Sequence, residues 1–129
     1  MKTVNSLLIF SVLVLFTLTS CNKDKESPVF SKIAVNGVTV AVDTQGEHLP
    51  GSTVDFVVDA TDDKELTLYE VRNASSLVKE GALTGTSASF TYSYGIDSTA
   101  TPGESYTVSF LVQDASGNST DGDYRIIVQ

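Results

Sequence analysis

Apolar and polar positions alternate along most of the chain. Val54, Phe56 and Val58 are interleaved with Thr53, Asp55 and Val57. Tyr106, Val108, Phe110 and Val112 alternate with Ser105, Thr107, Ser109 and Leu111, and Tyr124, Ile126 and Val128 with Arg125, Ile127 and Gln129. A period of two puts each apolar set on one face of a strand, as an antiparallel sheet with one wet side requires. Those nine residues, Val54, Phe56, Val58, Tyr106, Val108, Phe110, Val112, Tyr124 and Ile126, are the expected core. Weaker runs predict further strands at Phe30–Val35, Val38–Val42, Leu66–Val71, Leu77–Lys79 and Ala88–Tyr94.

Turn residues separate these runs: Asn36-Gly37, Gln45-Gly46, Pro50-Gly51, Thr84-Gly85, Pro102-Gly103, Ser116-Gly117-Asn118 and Asp121-Gly122. Asn36-Gly37 between two apolar runs predicts a two-residue hairpin, whose type I′ turn needs positive φ at both central positions. No helical stripe with caps occurs after Cys21. The fold class expected is all-β: a two-sheet sandwich of seven to eight antiparallel strands.

The N-terminal segment has a different pattern. Lys2 precedes the twelve-residue, predominantly apolar run Leu7–Leu18. As a helix it would be roughly 18 Å long against a hydrocarbon core of about 30 Å, which points to a signal peptide rather than a membrane span. The run ends in Leu18-Thr19-Ser20-Cys21, which holds the one cysteine of the chain. This ending resembles the lipobox of bacterial lipoproteins. The resemblance implies cleavage before Cys21, a diacylglyceryl thioether on Cys21 and acylation of the new amine. More than one acyl chain gives stable membrane anchoring. Asn22-Lys23-Asp24-Lys25-Glu26-Ser27-Pro28 then forms a polar tether, similar to the charged leader of Bacteroidetes lipoproteins, which implies an outer-membrane and cell-surface location. The organisation expected is a signal peptide over 1–20, lipidated cysteine and tether over 21–28, and one domain over 29–129.

Within that domain, Gly51 to Asp63 resembles strand B and the B–C turn of bacterial immunoglobulin-like domains, and Gly103 to Ser119 their strand F and F–G hairpin. The sandwich is therefore expected to be immunoglobulin-like, with Tyr106 in the place of a tyrosine corner. Such a fold does not define an activity.

Composition narrows the function. The chain has 8 basic against 16 acidic side chains, a net charge of −8. Loss of the first 20 residues removes Lys2 and brings it to −9. No basic surface is available for phosphates, which excludes a nucleic-acid partner. A single cysteine excludes a disulfide framework or a zinc cluster. His48 lies in an expected solvated loop, and no Gly-x-Ser-x-Gly elbow accompanies it, so the reading is of a protein that is not an enzyme.

Two loops could carry ions. Asp59, Asp62 and Asp63 at the B–C turn, with Asp114 and Asn118 at the F–G turn, would meet at one end of the sandwich and offer hard oxygen ligands for Ca²⁺. The same residues also make turns by bonding their own backbone. Asp97-Ser98-Thr99 is similar to the Bacteroidetes O-glycosylation motif, which makes Ser98 a candidate acceptor. Tyr69, Tyr92, Tyr94 and Tyr124, with Phe30 and Phe90, are the aromatics available for sugar stacking, but Tyr92 and Tyr94 share a face with Phe90, so core packing explains those three. Two functions follow: a lipid-anchored module binding another envelope protein, or a glycan-binding accessory lipoprotein of a surface nutrient-uptake system. An exposed aromatic row favours the second and a bare sheet edge the first.

Overall fold

The computed structural model describes residues 23–129. The signal segment and Cys21 lie outside the described residues. Nine strands follow: β1 (Val29–Val35), β2 (Val38–Val40), β3 (Thr44–His48), β4 (Thr53–Thr61), β5 (Leu66–Asn73), β6 (Ser76–Ala82), β7 (Ser87–Gly95), β8 (Ser105–Asp114) and β9 (Ser119–Val128). They form a four-stranded sheet in the order β2-β1-β4-β7 and a five-stranded sheet in the order β3-β9-β8-β5-β6. This is the expected immunoglobulin-like sandwich, with one strand beyond the expected number and one pair, β3 with β9, parallel where all were expected antiparallel.

The alternating runs build the core. Val54, Phe56, Val58 and Ala60 of β4 face Val108, Phe110 and Val112 of β8 and Tyr124, Ile126 and Val128 of β9, all buried. Phe56 and Phe110 meet edge to face at the centre, 5.2 Å between ring centroids. Leu66 and Val71 are five residues apart and would fall on opposite faces of a regular strand. A register shift between Leu66 and Leu68 turns Leu66 inward, so both are buried. The β1–β2 hairpin turns at Asn36 and Gly37 with φ of 49° and 81°, as its sequence predicts.

Two expected turns are strand instead. Gln45-Gly46 lies within β3 and Asp121-Gly122 within β9. β3 has no apolar alternation. It pairs in parallel with β9, Thr44 to His48 against Tyr124 to Val128. Gly46 is required there, because a β-carbon at that position would overlap the Tyr124 hydroxyl. Tyr106 also departs from expectation. It is half-buried, and its hydroxyl donates to the Glu104 side chain rather than to backbone. That hydrogen bond, with some burial, pushes the phenol up to about 12.

Candidate functional site

The end of the sandwich that receives the tether is organised by Asp114. It is 2% exposed, at the end of β8. The N–H groups of Ser116 and Asn118 donate to its Oδ1, each at 2.8 Å, and Nδ2 of Asn118 donates to Oδ2 at 2.7 Å. Burial pushes its carboxyl up, but the donors of Asn118, Ser116 and Gly117 outweigh it and hold the group below the usual carboxylate range. Both oxygens are engaged, so Asp114 shapes the turn rather than offering itself to an ion.

The B–C loop packs against this turn, the N–H of Ala115 donating to the Glu65 carbonyl at 2.8 Å. Asp62 accepts from the N–H of Lys64, and the Lys64 ammonium lies 3.3 Å from Asp63. Asp59 does not join them, since it sits inside β4 beside Lys32 and Ser89. Asp24 of the tether takes its place: its carboxylate and those of Asp62 and Asp63 each bring an oxygen within 4.8 Å of the others. Asn118 holds the tether there, Nδ2 donating to the Asp24 carbonyl at 3.1 Å. Oδ1 of Asp24 accepts from the N–H of Glu26. Oδ2 is the one buried side-chain oxygen among the described residues with no hydrogen-bond partner.

The aromatics are turned inward. Tyr69 stacks on Phe90 at 4.2 Å, Tyr92 lies over Phe56, and Tyr94 packs on Tyr106. Tyr124 is buried under β3, where its hydroxyl lies 3.1 Å from Nε2 of His48. His48 is thus a strand residue against Tyr124 rather than a solvated loop residue, and burial lowers its pKa. No row of exposed aromatics exists among the described residues. Ser98 is exposed, in a loop where Asp97 accepts from the N–H and hydroxyl of Thr99.

The sheet edges differ from one another. β6 is guarded by a register shift between Val71 and Arg72, which leaves Val78 bulged. The bulge leaves Leu77 and Val78 exposed, at 48% and 45%. β7 has no such guard. It runs nine residues in unbroken register with β4 and carries no charged side chain. The bonds from Asp62 N–H to the Thr86 carbonyl and from Ile96 N–H to the Ser52 carbonyl point even-numbered residues at β4. In an antiparallel ladder the odd-numbered residues then turn both N–H and C=O outward. Among the described residues the Lys79 ammonium alone crosses this edge, donating to the Thr91 carbonyl at 2.7 Å.

No protein-family model matches the chain, and no curated protein matches it. Solved structures share the architecture. A Niemann-Pick type C2 protein from Japanese carpenter ant has a TM-score of 0.51 at 11% identity, over 81% of this chain and 94% of that one. The CARDB domain of a Pyrococcus furiosus protein has a TM-score of 0.48 at 12% identity, over 81% of this chain and 99% of that one. A crystal structure of that CARDB domain in complex with di-metal ions scores 0.49 at 11% identity, over 82% and 99%. The likeness to these proteins is one of fold.

Proposed function

We propose that the chain is a lipid-anchored, non-catalytic immunoglobulin-like module of the outer membrane that binds another envelope protein. The bare edge of β7 carries the protein-binding part of this reading. The glycan alternative lacks its exposed aromatic row, since Tyr69, Tyr92 and Tyr94 are spent on stacking within the sandwich. The anchoring part is supported by the lipobox-like ending at Cys21. One experiment addresses both: whole cells carrying the parent or Cys21→Ser are treated with a protein cross-linker and fractionated. The parent is expected in the outer-membrane fraction with a discrete protein adduct. The variant is expected as precursor or soluble protein with the adduct lost. A variant still labelled by a palmitate analogue at mature size overturns the anchor, and a parent with no adduct overturns the protein partner.

A second reading adds Ca²⁺ to the tether end. The buried, unpartnered Oδ2 of Asp24 favours it, because a carboxylate oxygen held from water without a donor is costly and a cation shared with Asp62 and Asp63 would remove that cost. Millimolar Ca²⁺ is then expected to raise the melting temperature over chelator, and Asp24→Asn to abolish the rise. Binding to the folded state alone stabilises by about 2.7 kcal/mol at a hundredfold excess over Kd. Equal midpoints in Ca²⁺ and chelator, or an equal rise in Mg²⁺, would reduce these residues to turn formers.

A further inference from the structure

We infer that the free edge of β7 is a strand-addition site for an extended segment of the partner protein that carries two basic residues four positions apart. The inference rests on the module reading above and assigns it a place. In the constant-type immunoglobulin sandwich a fourth strand, D, flanks strand E. Here β6 passes through 83–86 directly into β7, which occupies the E position beside β4. Among the described residues no strand takes the D position, and the outward N–H and C=O groups of Ser87, Ser89, Thr91 and Ser93 face it. Edges of this length are ordinarily blunted by charge, proline or a bulge. β6 has its bulge; β7 has only the visiting ammonium of Lys79, which holds the Thr91 carbonyl that an incoming N–H would take.

Charge selects the occupant. On the outer face, Asp59 stands in register with Ser89 on one side and with Lys32 of β1 on the other, and Asp55 with Ser93, whose hydroxyl donates to Asp55, so Asp55 is the stronger draw for a cation. Asp55 has Asn36 on its other side, so no cation among the described residues flanks it in register. An added strand lies about 4.8 Å beyond β7, hence about 10 Å from β4. A Lys or Arg beside Ser93 reaches Asp55 across the serine, and one beside Ser89 reaches Asp59. Those two positions are four apart in either strand direction. The serines are small enough to leave the path open, and the net charge of −8 discourages an acidic segment.

The probe is a nine-residue peptide with Val and Thr alternating and Lys at two same-face positions four apart; its control has Glu there. Both are added to the full chain in detergent, and amide hydrogen exchange is read residue by residue. The Lys peptide is expected to slow exchange at Ser89, Thr91 and Ser93 at least tenfold, and to bind at least tenfold more tightly than the Glu peptide. Thr91→Pro removes an outward N–H, leaves the β4 ladder whole and is expected to abolish protection. Ser93→Lys keeps the backbone intact, places a cation beside Asp55 and is expected to weaken the Lys peptide at least tenfold. Lys79→Met frees the Thr91 carbonyl and is expected to tighten binding. Equal binding of the two peptides, protection at Leu77–Lys79 in place of β7, or no protection by either peptide overturns the site. A membrane adduct that survives Ser93→Lys leaves the module reading standing and overturns this edge; a parent without an adduct overturns the module reading itself.

Discussion

Phe110→Ala is expected to lower the unfolding free energy by about 3–5 kcal/mol. Phe110 is fully buried on β8, which lies between β9 and β5 in the five-stranded sheet. Its ring reaches across to the four-stranded sheet, 5.2 Å from Phe56 of β4 and 6.2 Å from Phe90 of β7 between centroids. Truncation removes transfer energy and leaves a void that two hydrogen-bonded sheets cannot collapse to fill. Small domains have roughly 5–15 kcal/mol in total, so the loss is a large fraction. At roughly 4–8 °C per kcal/mol for a domain of this size, the melting midpoint should fall by more than ten degrees. A midpoint within two degrees of the parent would show that the ring is not buried between the sheets.

Asp114→Ala is expected to cost on the order of 3 kcal/mol, because three donors lose a buried charged acceptor together. The turn they shape also holds the tether through Asn118, so tether residues should become more labile to protease in the same variant. The native interaction depends on pH. With the folded pKa held below the unfolded value, the stabilisation is complete above about pH 4 and is lost as pH falls through the folded pKa. Asp114→Asn keeps the size and removes the titration. Melting curves from pH 6 down to pH 2 should therefore fall more steeply for the parent than for Asp114→Asn. Parallel curves would remove Asp114 from the acid response.

Strands β4, β8 and β9 were legible in the sequence because each turns one face to the core and one to water, which forces a period of two. The Asn36-Gly37 hairpin was legible because its turn type restricts the residue types that fit. β3 was not. Its residues Thr44 to His48 carry no apolar pattern, and what makes them a strand is the edge of β9 and the Tyr124 ring beneath Gly46. His48 was misread for the same reason. Gly122 was read as a break because glycine marks turns more often than strand interiors. At the acidic end, the meeting of the B–C and F–G loops was legible from strand order. The consumption of both Asp114 oxygens by its own turn was not, nor was the arrival of Asp24, since a tether has no pattern that predicts where it docks. The bareness of β7 is invisible to any local reading. Ser87 to Gly95 reads as an ordinary strand, and only the sheet order shows that it is an edge among the described residues.

The parallel pairing of β3 with β9 has a mechanical meaning. β1 enters at the end where the tether docks, and β9 runs in the same direction and leaves at the opposite end, beside His48. Tension applied between the tether and Val128 therefore pulls both strands along their length. The five registered pairs of β3 and β9 are sheared together instead of unzipping one at a time. Force applied along the line from the tether to the end of β9 is therefore opposed by whole strands at once.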